Sequence, residues 1–111
     1  MRWPCGLALV LFAAPAAAEV ELLTYRYQCE RGVEVPVTYV NSADGSAVVL
    51  NVEGRQISLL QAMSGSGARY EWPSDGSGYV WWSKGDGAML LWHDGATGED
   101  QTIYTDCRSQ E

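Results

Sequence analysis

From Thr24 onward, apolar and polar residues alternate along the chain. Tyr25, Tyr27 and Cys29 fall on one face, with Thr24, Arg26 and Gln28 on the other. Val35, Val37 and Tyr39 repeat the pattern, as do Val48, Leu50 and Val52. A period of two marks strands with one buried face. Segments 79–83 and 88–92 are apolar on both faces. They read as central strands covered on both sides, or as strands with an exposed aromatic patch. No convincing helical period occurs beyond the N-terminal segment. Turn-forming clusters recur at short intervals, at Arg31-Gly32, Asn41 to Gly45, Gly54-Arg55, Ser64 to Gly67, Pro73 to Gly78, Gly85 to Gly87 and Asp94 to Gly98. Together these predict an all-β fold of about eight strands joined by hairpin-length connections. A small up-and-down antiparallel β-barrel satisfies this pattern and removes free strand edges.

The N-terminal segment has a different character. Met1-Arg2 supplies one positive charge, residues 6–14 form an unbroken apolar run, and Pro15-Ala16-Ala17-Ala18 follows. This is the layout of a secretory signal peptide, with cleavage expected after Ala18. The run is too short to span a bilayer, which takes roughly 20 apolar residues. Residues 1–18 are therefore expected to be the signal peptide and residues 19–111 a single domain. Cys5 precedes the apolar run, where a lipoprotein acceptor cysteine would follow it. The mature protein is accordingly expected to be periplasmic or secreted, with no lipid anchor; an uncleaved N-terminal anchor is the alternative.

Export changes what the cysteines imply. Cys29 and Cys107 remain after cleavage, and two cysteines in an exported chain usually pair. Such a bridge ties the first mature segment to the last and staples the barrel closed. On the chain-entropy model, so long a loop is worth roughly 4 to 5 kcal/mol. There is no Cys-x-x-Cys, and the one histidine, His93, cannot complete a usual zinc set. The formal charge of −7 becomes one unit more negative without Arg2. That disfavours nucleic-acid binding and suits solubility or steering toward a basic partner.

Tests for catalysis come out negative. Gly65-Ser66-Gly67 lacks the Gly-x-Ser-x-Gly spacing of a nucleophile elbow, and no helix follows it. His93-Asp94 sits at a strand end, where the histidine reads as a hairpin residue rather than a base. The acidic residues are spread through the turns, unlike a calcium loop, and no phosphate-cradling motif occurs. The expectation is a non-enzyme with no metal and no cofactor. Trp72, Trp81, Trp82 and Trp92 lie close together in the chain. In a small barrel most of them should be core, and any left exposed would suit a protein partner or a sugar. Lys84 is the only lysine. It reads either as a solvated turn residue or as a point charge that a turn can carry into a partner's cleft.

Four segments sharpen that choice: Tyr27-Gln28-Cys29, Ser66-Gly67-Ala68-Arg69-Tyr70, Trp82-Ser83-Lys84-Gly85-Asp86-Gly87-Ala88 and Asp106-Cys107. Together they resemble the bacterial inhibitors of c-type lysozyme, the MliC/PliC family, over nearly the whole mature chain. The resemblance implies an eight-stranded antiparallel barrel and a Cys29–Cys107 bridge. It also implies that the serine of the Ser-Gly-x-x-Tyr loop and the lysine of the Lys-Gly turn enter the lysozyme cleft and contact its catalytic carboxylates. By motif these are Ser66 and Lys84, with Gly67, Arg69, Tyr70 and Gly85 as possible flanking contacts. Ser64 competes with Ser66 but is not followed by Gly-x-x-Tyr. The implied partner is a c-type lysozyme, commonly a basic protein. Two departures stand out. No lipobox occurs, as in the soluble periplasmic members, and the Glu71 to Gly78 connection, containing Trp72-Pro73, is longer than the pattern implies. The alternative is a periplasmic glycan-binding or peptidoglycan-binding barrel using Trp72, Trp81 or Trp82 as stacking platforms.

Overall fold

The structure, a computed structural model, describes residues 19–110. The signal-peptide expectation for residues 1–18 lies outside the described residues. Eight strands follow in order: β1 (Glu21–Gln28), β2 (Glu34–Ser42), β3 (Gly45–Val52), β4 (Arg55–Ala62), β5 (Ala68–Glu71), β6 (Gly78–Lys84), β7 (Gly87–His93) and β8 (Asp100–Ser109). One 3-10 turn, Glu30–Gly32, links β1 to β2. Each strand pairs antiparallel with its sequence neighbour, and β8 returns to β1 to close the barrel. This is the predicted architecture.

The alternation decides which side chains fill the interior. Tyr27, Val35, Val37, Tyr39, Val48, Leu50 and Val52 are buried, as the period-two reading requires. Leu59, Tyr70, Trp81 and Leu90 complete the core from the remaining strands. The buried tyrosines bring hydroxyls into an apolar space, and these must be satisfied there. The Trp81 indole N–H donates to the Tyr39 hydroxyl at 2.9 Å, and the Tyr39 and Tyr27 hydroxyls share a 2.8 Å bond. Burial, reinforced by that bond, pushes the Tyr27 phenol well above its ordinary pKa.

The β1–β8 seam is short. Only Tyr27–Ser109 and Gln28–Arg108 pair across it, with one further bond from the Gln110 amide to the Arg26 carbonyl. The next position along this register is occupied by Cys29 and Cys107, joined by a disulfide of S–S 2.00 Å. The expected covalent closure therefore sits where the ladder is weakest.

The outer face of β6 and β7 resolves the ambiguity of the doubly apolar segments. Val80 and Leu91 face outward, opposite each other, yet are 2% and 5% exposed. Arg69 on β5 forms an ion pair with Asp100 on β8, at 2.8 Å. To reach it, the side chain must cross the outside of β6 and β7. The register places the Val80–Leu91 pair between the two partners. A long side chain with an apolar stem can cover such a surface while its charge is matched at the far end.

The tryptophans depart from expectation. Among the described tryptophans only Trp81 is core, at 0% exposure. Trp82 follows it in the strand, so alternation turns it outward, where it is half-buried. Trp72 lies in the β5–β6 connection and is 50% exposed, and Trp92, near the end of β7, is 36% exposed. The β5–β6 and β7–β8 connections support each other, with the Gly95 amide donating to the Ser77 hydroxyl at 2.8 Å. Up-and-down order puts them at the end of the barrel opposite the β4–β5 and β6–β7 turns.

Candidate functional site

The β4–β5 loop carries Ser66, and the β6–β7 turn follows Lys84. Up-and-down topology brings both to the same end of the barrel. Pairing of Ala68 with Ser83 and of Arg69 with Trp82 runs the loop alongside the base of the turn. Contact there is close. A Cβ on Gly67 would lie 2.5 Å from the Ser83 carbonyl oxygen and 3.2 Å from the Lys84 Cβ, and Gly67 has φ +65°. Only glycine meets both demands without displacing backbone. Lys84 pairs with Gly87 around a two-residue turn whose first central residue, Gly85, has φ +62°. That conformation is the one a tight hairpin requires of its glycine.

Three hydrogen bonds shape the Ser66 loop. The Trp82 indole N–H donates to the Ser66 carbonyl at 3.0 Å. The Ser64 hydroxyl donates to the same carbonyl at 2.5 Å and accepts from the Ser66 amide at 3.4 Å. Ser64 is therefore committed to the loop itself, which separates it from Ser66 on physical grounds. Among the described residues, the Ser66 hydroxyl and the Lys84 ammonium have no hydrogen-bond or ion-pair partner. Both residues are exposed and line one groove of about 320 Å³, with Trp82, Met89 and Arg108 among its other walls. Arg108 pairs with Asp86 at 3.2 Å, and the Asp86 carbonyl accepts from the Ser109 amide at 3.1 Å, so the lysine turn is tied to β8.

The other predicted residues divide by depth. Gly67 and Gly85 are exposed beside the two side chains. Arg69 lies behind them, its guanidinium 5.7 Å from the Trp82 ring and ion-paired to Glu71 at 2.5 Å as well as to Asp100. Burial works against its charge, but the two carboxylates outweigh that and raise its pKa. Tyr70 is 4% exposed in the core and offers no surface to a partner. His93 sits at the far end of β7 from the Ser66 loop, bonded through Nδ1 to Asp100 at 2.7 Å, so it does not pair with Ser66. Partial burial would raise the Asp100 carboxyl, but the His93 bond and the Arg69 charge prevail and hold it below the ordinary range. The Trp82–Ser66 bond was not foreseen from sequence. Its one signal is that Trp81 and Trp82 cannot both face inward on a strand.

The family model described as membrane-bound lysozyme-inhibitor of c-type lysozyme matches residues 27–98. The chain belongs to this family. It is 40% identical over 65 residues to the membrane-bound lysozyme inhibitor of C-type lysozyme of Cupriavidus necator, covering 59% of this chain and 49% of that one. The Pseudomonas aeruginosa protein of the same description is 33% identical over 79 residues, covering 70% and 59%. The chain thus spans about half to three-fifths of the length of these relatives. Among solved structures, Pseudomonas aeruginosa MliC in complex with hen egg white lysozyme superposes with a TM-score of 0.65 at 25% identity, covering 95% of this chain and 99% of that one. The periplasmic inhibitor PliC of Salmonella typhimurium gives 0.68 at 23% identity, covering 82% and 100%, a likeness of fold. Family membership and the barrel therefore agree with the resemblance read from sequence.

Proposed function

We propose that this protein inhibits a c-type lysozyme by occupying its active-site cleft, with Ser66 and Lys84 directed at the catalytic carboxylates. The observation that carries the reading is the pairing of a hydroxyl and an ammonium that have no partner among the described residues. They line one groove, on two braced turns at one end of the barrel. Glycoside hydrolysis uses two carboxylates in a cleft shaped for sugar. An ammonium delivered there gains charge-assisted hydrogen bonds, and a hydroxyl can donate to a carboxylate or accept from its protonated form. Inhibition then needs occupancy and no chemistry, so the protein acts as an inhibitor and not as an enzyme. We further read residues 1–18 as a signal peptide that delivers a soluble protein to the periplasm. The relatives named membrane-bound make anchoring the point to check, and fractionation with mass determination of the exported form does so.

The direct test is lysis of a peptidoglycan suspension by a c-type lysozyme with the purified protein titrated in. Wild type should suppress lysis. Lys84→Ala should raise the inhibition constant about 30-fold or more, corresponding to about 2 kcal/mol for truncating one partner of a buried charge pair. Ser66→Ala should raise it about fivefold, near 1 kcal/mol. Unchanged constants for both variants with intact folds would remove the insertion model.

A second reading, glycan binding, keeps one observation in its favour. Trp72 and Trp92 are exposed beside Tyr79 at the opposite end of the barrel and line a common hollow. Trp81 cannot serve there because it is sealed in the core. This reading predicts binding to free glycan with no lysozyme present, lost on Trp72→Ala.

A further inference from the structure

The binding-ready shape of the Ser66 loop has an identifiable source. A five-residue connection between strands would ordinarily sample many conformations, and ordering it on binding would weaken association. Here the Ser66 carbonyl is pinned from the side by an indole. Trp82 donates to the Ser66 carbonyl at 3.0 Å while remaining only half-buried. That ring is itself backed. The Arg69 guanidinium lies 5.7 Å from its centroid, close enough for cation–π attraction. Arg69 is in turn held by Glu71 on its own strand and by Asp100 across the sheet, with its side chain 18% exposed. The order of contacts runs from the barrel wall outward: two carboxylates orient a guanidinium, the guanidinium backs an indole, and the indole holds a loop. Gly67 completes the arrangement by letting the loop lie within contact distance of Ser83 and Lys84.

We propose that Trp82, backed by Arg69, is the positioning residue of the inhibitory surface, and that its indole N–H sets the Ser66 loop before lysozyme arrives. The proposal rests on the inhibitor reading above. It assigns Trp82 no contact with the catalytic carboxylates. Its contribution passes through Ser66 and leaves Lys84 independent, because Lys84 is placed by its own hairpin and by the Asp86 link to β8.

That asymmetry makes the test specific. Trp82→Phe keeps an aromatic ring beneath Arg69 and removes the donor. It should raise the inhibition constant about fivefold, the equivalent of one neutral hydrogen bond, mainly through faster dissociation. The same change made in a Ser66→Ala background should have little further effect, whereas in a Lys84→Ala background it should keep its full effect. A merely structural role would act equally in both backgrounds. Equal losses in both, or no loss in wild type, overturn the proposal. Where Trp82→Phe also lowers the melting temperature, the unmodified protein decides. The Trp82 indole N–H should exchange with solvent far more slowly than those of Trp72 and Trp92, and equal rates overturn the proposal. A wild-type protein that does not inhibit lysozyme removes the functional reading and this inference with it. A wild type that inhibits, with Trp82→Phe equal to it, removes this inference alone.

Discussion

Gly67 is the residue on which the Ser66 loop and the Lys84 hairpin depend for their closeness. Its φ of +65° lies in the left-handed region, and the atom nearest an added Cβ is the Ser83 backbone carbonyl at 2.5 Å, which no side-chain rotation can relieve. Gly67→Ala should therefore displace the loop from Lys84. We expect about 1 to 3 kcal/mol of lost stability, read as a lowered melting temperature, and an inhibition constant raised at least tenfold. Gly65 is the matched control. Nothing lies within 4 Å of an added Cβ there, so Gly65→Ala should keep the loop in place and melt like wild type. At this scale the motif spacing pointed to Ser66 and Lys84, and it passed over Ser64 for want of a tyrosine at the right offset. The physical distinction, that the Ser64 hydroxyl is consumed by the Ser66 carbonyl, depends on loop conformation and has no sequence signature. Tyr70 shows the converse. Its place in the motif suggested a surface contact, but it falls on the inward parity of β5 and is a core residue.

Strand by strand, the period-two pattern was sufficient for β1, β2 and β3, where every buried residue is a hydrophobic one on the inward parity. It failed to decide β6 and β7, where both faces are apolar. Across their outer face runs the ion pair of Arg69 on β5 with Asp100 on β8, residues 31 positions apart that no local window contains. This pairing has a pH signature. The folded-state pKa of Asp100 lies below its unfolded value, despite the opposing effect of burial. The bonds of Asp100 to His93 and Arg69 therefore stabilise the fold above the unfolded carboxylate value of about 4, and that contribution is lost as pH falls through the lower folded value. Asp100→Asn should lower the melting temperature near pH 7 and narrow the gap between melting temperatures at pH 7 and pH 3. A gap as wide as in wild type would show that the acid sensitivity arises elsewhere.

For the whole molecule, the turn spacing sufficed to predict a barrel because eight short strands with hairpin connections leave few other ways to hide their edges. How the barrel shuts was less legible. The two-pair ladder between β1 and β8 reflects strand stagger, which a sequence does not display, though Cys29 and Cys107 pointed to the place. Replacing both cysteines with serine should cost roughly 4 to 5 kcal/mol on the chain-entropy model, measured by denaturant unfolding, with binding affected only through the folded fraction. The net charge of −7 belongs to this scale too, and it separates two roles that Lys84 could otherwise confuse. Steering acts through the summed field and governs the on-rate, whereas a contact inside a cleft governs the off-rate. Removing the only lysine makes the barrel more acidic, so Lys84→Ala should associate with a basic lysozyme at least as fast as wild type. It should nevertheless dissociate at least tenfold faster, if its ammonium sits against a carboxylate. Raising salt should slow association of both proteins to a similar extent, because exposed charges farther apart than about 10 Å are screened at 0.1 M. Surface plasmon resonance across a salt series reads both rates. A Lys84→Ala defect confined to association and erased by salt would reassign the lysine from the contact to the field.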